Sequence, residues 1–295
     1  MSGNKKIGNS LYQKEAAAYY KQLRKIHSKV FTSSTRQQEE KTRERYSQAS
    51  LPGIQNLYSI INILVALLKN KQTVEGIDYG CGSHYFVDDM VNQYQWNVHG
   101  YDIDKYAIKE ARGKYTANAY RYHHYNLLKT TLPVIDNSQD FVFCNAVIQH
   151  FDDKELIYTL TDIARVLKPG GILLLIYKCK PENWQAFLEN SALKINIIDA
   201  AAGKIEIEDK SMQKALQQLD LNARRKINQK NITGMRLFHV FSVEEIIQAG
   251  LSTGLETVNS NSTPAGQDWH GVITYDSGKG IPTAALFLTK KGDHL

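Results

Sequence analysis

The sequence predicts an α/β fold, a doubly wound and mostly parallel sheet with helices on both faces. Three observations predict it. Between residues 57 and 177, apolar runs of strand length alternate with stretches of helical spacing, and that alternation implies parallel crossovers. Asp140–Val147 (DFVFCNAV) and Gly171–Tyr177 (GILLLIY) are apolar with little alternation, as strands covered on both faces are. The earlier strands run into turn residues and acids, VEGIDYG into Gly80 and Gly82, NVHGYDID into Asp102 and Asp104.

Length and composition set the bounds. A chain of 295 residues buries about three quarters of the surface its unfolded form exposes, so it needs no disulfide staples. An apolar share of 42% argues against wholesale disorder. Cys81, Cys144 and Cys179 are odd in number and widely spaced, which excludes a disulfide framework and a CxxC zinc site and fits a reducing compartment. The first twenty residues are polar, without a secretory apolar core, and the most apolar stretch, Leu57–Leu68, has 12 residues where a bilayer span needs about 20. The expectation is a soluble, cytoplasmic protein that does not enter a membrane.

The net charge of +6 is concentrated at one end. Residues 1–46 carry 11 Lys and Arg against four Glu, or +7, so the other 249 residues sum to −1. Residues 1–52 are therefore expected to form a basic helical arm or cap. Such an arm can meet phosphate or an acidic partner, although a solvated helix face is the commoner use of a charge run. Tyr12, Tyr19 and Tyr20 lie on it at near-helical spacing, as core-facing anchors or as a cap over a ligand.

Residues 53–179 form the expected ligand-binding core. Leu57, Ile60, Ile61, Leu64, Leu67 and Leu68 follow helical spacing, with Asn70 near the helix end. Strands are expected at Val74–Gly80, Asn97–Asp104 and Ala119–Asn126, and a fourth at Asp140–Val147. The helix after the fourth strand is the best defined: Leu156, Ile157, Leu160, Ile163, Ala164 and Leu167 recur at three- and four-residue steps behind Asp152 and Asp153. Lys168-Pro169-Gly170-Gly171 stops it, and the fifth strand follows from Gly171.

From Lys178 to about Val240 the strand rhythm lapses. WQAFLE and MQKALQQLDL have helical patterns, and KIEIE is either a short strand or a loop. Roughly sixty residues between two sheet elements mark 180–240 as an insertion after strand 5 and a candidate substrate lid. Residues 241–295 complete the core. Ser242-Val243-Glu244-Glu245 is an S-x-x-E capping box that opens a helix through Leu251, and Leu255–Val258 and Ala284–Thr289 supply the last two strands.

In a doubly wound sheet, ligands bind beyond the carboxyl ends of the strands, where strand order reverses. The first strand ends in Asp78-Tyr79-Gly80-Cys81-Gly82-Ser83-His84. Its two glycines permit a tight turn and bring bare backbone against a ligand, and the next helix start offers N–H groups. A dinucleotide motif needs a third glycine where Tyr85 stands, and no Walker-type G-x-x-x-x-G-K-[ST] occurs. Asp102, 22 residues past Gly80 at the end of the second strand, can accept hydrogen bonds from both hydroxyls of a ribose. The inferred ligand is a ribonucleoside without an obligatory pyrophosphate.

D-Y-G-C-G, then G-Y-D-I-D, then N-S-Q-D-F-V-F-C-N-A-V-I-Q-H-F, then A-R-V-L-K-P-G-G-I-L-L-L-I resembles the class I S-adenosylmethionine-dependent methyltransferases. The resemblance covers Val74–Tyr177 and, more weakly, Phe241–Lys291. One glycine turn is a weak signal; four ordered motifs are a strong one. The resemblance implies a Rossmann-like, seven-stranded sheet with a reversed C-terminal hairpin, and S-adenosyl-L-methionine as cofactor. It implies that Asp78, Gly80, Cys81 and Gly82 shape the pocket for the methionine part, that Asp102 holds the ribose, and that Ile103 packs on the adenine. Asn126-Leu127 stands where the family has Asp and an apolar residue, and an Asn still accepts through its carbonyl oxygen. Asn145 would line the cofactor, with Gln149 and His150 facing its methyl side. His84, in place of a small residue, would crowd or cap the amino-acid end.

His150 and Tyr20 are the candidates for a catalytic role; the rival for His150 is structural packing after the fourth strand. His123 and His124 are expected to alternate across an exposed strand, and His239 to pack near the second capping box. A sulfonium methyl is already activated, so the protein has mainly to align a nucleophile and exclude water. A base is needed only if the acceptor must lose a proton. N-P-P-[YF], typical of exocyclic-amine modifiers, is replaced by Asn145-Ala146-Val147-Ile148, and a Pro-Cys nucleophile for pyrimidine carbon is absent. Lys178 stands after the fifth strand where a catechol-type Mg²⁺ site needs an acid. The expectation is a metal-independent methyltransferase acting on a small-molecule O, N or C acceptor, with the arm and the insertion forming the acceptor pocket. The alternatives are a tRNA or other RNA modifier that uses the basic arm on nucleic acid, and a cofactor-binding scaffold without activity.

Overall fold

A computed structural model describes residues 57–208, 235–259, 270–275 and 281–292. The basic arm with Tyr20, and the MQKALQQLDL segment, lie outside the described residues. Five parallel strands form the centre of the main sheet: β1 (Glu75–Tyr79), β2 (Asn97–Asp102), β3 (Tyr122–His124), β4 (Gln139–Asn145) and β5 (Leu167–Lys178). They lie in the order β3-β2-β1-β4-β5. Beyond β5, antiparallel β11 (Thr283–Lys290) is followed by an edge position that two short strands share. β9 (Leu255–Thr257) pairs with residues 288–290 of β11, and β10 (Val272–Tyr275) with residues 283–286. Among the described residues the Rossmann-like sheet thus has seven positions filled by eight strands, of which β10 went unread in the sequence.

Six helices accompany the strands among the described residues: α1 (Leu57–Leu68), α2 (Phe86–Tyr94), α3 (Lys105–Lys114), α4 (Asp153–Val166), α5 (Trp184–Asn190) and α6 (Val243–Ser252). On one face of the sheet, Ile77, Val142, Cys144, Leu173 and Leu175 meet Leu156, Leu160 and Ile163 of α4 and Ile246 of α6. On the other, Phe141, Phe143, Ile172 and Leu174 meet α1, α2 and α3 through Ile60, Leu64, Phe86, Met90 and Ile108. Successive residues of β4 and β5 enter opposite apolar layers, which is why neither strand alternates apolar with polar.

Helix ends follow local chemistry. Asp152 caps α4, accepting from the Glu155 amide while Glu155 returns a bond to the Asp152 amide, and Ser242 with Glu245 does the same for α6. α4 ends at Val166, and Leu167 already pairs with Gln139. Lys168-Pro169-Gly170-Gly171 is therefore a bulge inside β5, where the sequence placed a break between helix and strand; Ile172 resumes the ladder against Phe141. No helix forms over residues 125–138. Arg165 of α4 ties that connection down, donating to the carbonyls of Leu132 and Val134 and to Asp136 and Asp162.

The insertion contains a second sheet of antiparallel β6 (Ile195–Asp199), β7 (Lys204–Glu208) and β8 (Met235–His239), in that order. KIEIE is thus the strand β7 and WQAFLE lies in α5, whereas β6 and β8 went unread because INIID and MRLFH lack strict alternation. Ile205, Phe238, Val240 and Ile281 form a small separate core beside Trp184, Phe187 and Leu188. The chain leaves and rejoins the main sheet at one place, for Cys179 bridges Phe241 and the Lys180 amide donates to the Phe241 carbonyl at 3.0 Å. Among the described residues no helix is long and apolar enough to cross a membrane.

At the end of the sheet opposite the glycine turn, Asp140 is 1% exposed and accepts from Lys71 Nζ at 2.6 Å, Lys168 Nζ at 2.8 Å and the Glu75 amide at 2.9 Å. Burial pushes its pKa up, yet the Glu75 amide and the two lysines outweigh burial and hold it below its ordinary value. Its contribution is present above the ordinary carboxylate range and is lost as pH falls through the depressed value. Asp140→Ala should cost about 2–4 kcal/mol, since it strands one amide and two ammonium groups; urea melts at neutral pH measure it.

Candidate functional site

Chain order runs from β1 through β2 to β3 on one side and then jumps to β4 on the other, so the switch point lies between the carboxyl ends of β1 and β4. Gly80 and Gly82 turn the chain there with φ of +76° and +56°, values that suit glycine. A Cβ on Gly80 would lie 2.3 Å from Val147 Cγ2, so the turn after β1 presses bare backbone against the turn after β4. Ala146, exposed beside Val147, also holds a positive φ of 57°, a strained state for a residue with a Cβ and one that clusters at functional sites. Tyr85, at the N-cap of α2, makes no side-chain cap bond.

Asp102 connects this turn to β2. Its Oδ2 accepts from the Gly82 amide at 2.8 Å and its Oδ1 from the Asp104 amide at 2.6 Å. A carboxylate has about four lone-pair sites and accepts only, the chemistry that hydroxyl donors need. Asp78 is 3% exposed, and burial, then the neighbouring Asp102 carboxylate, push its pKa well up. Cys81 is 2% exposed and its sulfur packs toward Gly100, where a Cβ would lie 2.7 Å from Sγ; it meets the turn through its backbone. Its thiol is pushed up by burial, then by Asp78 and Asp102, and stays protonated. The exposed His84 ring lies alongside Gly82, with Cδ2 3.3 Å from where a Cβ would be.

Beyond β2 and β3, Ile103 is 41% exposed and Leu127 is buried. Asn126 Oδ1 accepts the Leu128 amide in a long bond of 3.3 Å. Asn145, which ends β4, and His150, beyond it, are half-buried, while Gln149 is 3% exposed with its Oε1 buried and unbonded. An orphaned amide oxygen costs about 1–3 kcal/mol and is satisfied by any donor that enters. Ile148–His150 form a 3₁₀ turn on which β8 of the insertion rests. The Phe238 ring lies 5.8 Å from that of His150, and His239 Nδ1 is 2.9 Å from the Phe151 carbonyl. His239 is thus buried against Phe151 and Phe241.

The structure gathers Asp78, Gly80, Gly82 and Asp102 at one turn and brings Val147 against it, while Asn145 precedes Val147 and Gln149 and His150 follow it. Val147 and Phe238 are additions, and no local sequence signal marks either, because each matters through a contact made in the fold. Tyr20 lies outside the described residues. Lys178 donates to the Ile281 carbonyl and to Thr283 Oγ1. Among the described residues, no three His, Cys, Asp or Glu side chains gather to hold a metal.

Residues 77–175, a third of the chain, match the family model for a methyltransferase domain. A malonyl-[acyl-carrier protein] O-methyltransferase from Hahella chejuensis is 29% identical over 119 residues, 38% of this chain and 39% of that protein. The match spans about two fifths of the relative's length. A solved SAM-dependent methyltransferase from Methanosarcina mazei superposes with a TM-score of 0.55 at 20% identity, over 80% of this chain and 99% of that one. An S-adenosylmethionine-dependent methyltransferase from Clostridium acetobutylicum gives 0.55 at 10% identity, over 93% and 100%. At these identities the structural likeness is one of fold.

The contact between the two turns can be tested directly. Gly80→Ala should destabilise by about 2–4 kcal/mol, from the positive φ and the clash with Val147 together. Val147→Ala in the same chain should remove the clash and leave about 1 kcal/mol for the φ; denaturant melts of the single and double variants separate the two contributions.

Proposed function

We propose that this chain, whose core belongs to the class I S-adenosylmethionine-dependent methyltransferase superfamily, binds S-adenosyl-L-methionine over the β1–β4 switch point and methylates a small-molecule acceptor. The observation that carries this reading is the Asp102 carboxylate, fixed by the Gly82 and Asp104 amides so that the ribose acceptor and the glycine turn are one unit. Three further features fit the cofactor. Gly80 lets bare backbone of the turn after β1 pack against Val147 of the turn after β4, the crevice where the ligand would lie. Asp78 is a buried acid that a ligand ammonium would hold ionised. Gln149 Oε1 is a buried acceptor awaiting a donor.

When bound, the cofactor supplies a methyl group on a sulfonium, and the C–S bond breaks with its electron pair left on sulfur. The chain's own part is orientation. Asp102 takes the ribose hydroxyls, Ile103 covers the adenine, and Asn126 Oδ1 adds an adenine amino proton to the long bond it already accepts. Leu127 supplies apolar wall, and Gly80, Cys81 and Gly82 offer backbone to the methionine end. Asn145 lines the cofactor, Gln149 accepts from it, and His150 faces the methyl side under Phe238 of the insertion. An acceptor hydroxyl or ammonium must lose a proton, and in this reading His150 takes it.

A carboxylate acceptor is the second reading, favoured by the relative that methylates a malonyl group on a carrier protein. A carboxylate is already ionised at neutral pH, so no base is needed and His150 would have no proton to take. His150→Ala separates the cases: a fall in kcat with cofactor affinity kept supports proton removal, and unchanged kcat supports the carboxylate. Incubating the protein with methyl-labelled cofactor and cell-extract fractions, followed by mass spectrometry, tests the whole reading. Label in a small molecule supports it, label in RNA supports a nucleic-acid modifier, and no cofactor binding at millimolar concentration refutes both.

Asp102→Ala should weaken cofactor binding by about 1.5–3 kcal/mol, roughly 10–150-fold, by calorimetry; unchanged affinity would refute the ribose assignment. Gln149→Leu should leave the ligand-free protein as stable or up to about 1 kcal/mol more stable, since it deletes an orphaned oxygen, while lowering cofactor affinity about tenfold. Thermal melts and the same calorimetry read the two effects.

A further inference from the structure

Two histidines meet across the outermost parallel strands. His99 of β2 and His123 of β3 are half-buried, with His99 Nδ1 2.9 Å from His123 Nε2 and the rings stacked at 5.2 Å. Tyr101 stacks on His123 at 4.8 Å, and Tyr125 meets Tyr101 edge-on. β3 has only three residues, 122–124, paired with residues 100–102 of β2. It is a weak edge, and a side-chain bond between the strands matters more there than in the centre of the sheet. The pair also sits close to the pocket: Asp102 is three residues on from His99, and Asn126 three on from His123.

We propose that this imidazole pair is an acid-sensitive clasp, which holds β3 against β2 while neutral and, once doubly protonated, releases the strand together with the Asn126–Leu127 end of the pocket. The consequence for the cofactor rests on the assignment of that end above; the clasp itself does not.

Proton accounting gives the mechanism. In the neutral pair one ring donates its N–H and the other accepts through a lone pair. A first proton adds at the donor ring's outer nitrogen and leaves the bond in place. A second can add only at the shared lone pair, which abolishes the bond and sets two cations ring to ring. The pair therefore titrates as a unit in two steps.

Among the described residues, the fixed charges acting on the pair are both positive: Arg121, from the 3₁₀ turn before β3, on His99, and Arg112, from α3, on His123. Tyr101 and Tyr125 are phenols, uncharged at acid pH, and His124 turns away to the Ile103 carbonyl. Burial first and Arg121 second hold His99 below its ordinary value; burial, then His99, then Arg112 hold His123 down at about 4. Both guanidiniums also disfavour a divalent cation between the rings. A depressed pKa in the folded state means that the released strand binds more protons. The clasp's contribution is therefore complete above the ordinary histidine value of 6.5 and is lost as pH falls toward about 4.

His123→Gln keeps a side chain that can bond to His99 but does not titrate. Thermal melts and cofactor calorimetry of the full chain and of this variant, at about pH 7.5 and about pH 4.5, test the clasp. The groups of the pocket titrate alike in both proteins, so the difference between them isolates the pair. The wild-type melting temperature should fall more steeply on acidification, and its cofactor affinity should fall at least about tenfold further than the variant's. Parallel behaviour of the two proteins in both measurements would overturn the clasp. Should wild type fail to bind cofactor at neutral pH, the cofactor reading falls and the melts alone decide the clasp. His99→Gln replaces the first variant if that one does not fold, with the same expected outcome.

Discussion

β1 runs parallel to β2 on one side and to β4 on the other, and the site follows from that pairing. Parallel neighbours need crossovers, crossovers lay helices on both faces, and both faces must then be apolar. The interior of the sheet is closed to polar chemistry as a result. Polar groups are left the ends of the strands, and Asp102, Asn145 and the two glycine positions stand at the carboxyl ends.

The two ends of the sheet serve opposite purposes. Asp140, at the amino end of β4, is a buried acid with three donors around it, and it joins the loop before β1 to β4 and the bulge of β5. Asp78, at the carboxyl end of β1, is a buried acid whose strongest electrostatic neighbour is another acid. The same side chain type stabilises at one end and strains at the other. Ala146 with its positive φ and Gln149 with its orphaned oxygen belong to the strained end. Local strain persists when the surrounding structure over-determines it, and here two apolar layers and two capping boxes do so.

Features whose cause is local were legible in the sequence. The capping boxes at Asp152–Glu155 and Ser242–Glu245, the apolar runs of β4 and β5, and the spacing of Gly80, Gly82 and Asp102 each depend on neighbours within a turn or on one periodicity. Features whose cause is distant were not. Val147 matters because Gly80 lies against it, and the bulge at Lys168–Gly171 exists because Leu167 finds Gln139 across the sheet. β6, β8 and β10 are short or irregular, and their partners, not their patterns, make them strands. Phe238 reaches His150 only because the insertion folds back on the turn after β4.

The root of the insertion has a broader meaning. Cys179 and Phe241 touch, and the Lys180 ammonium bonds the same Glu245 carboxylate that caps α6. Departure and return thus coincide, and one seam joins the two ends of the excursion to the main sheet. That makes the seam a natural point of exchange: a different excursion grafted between the same two anchor points would leave the pairing of β5 with β4 and β11 as it is.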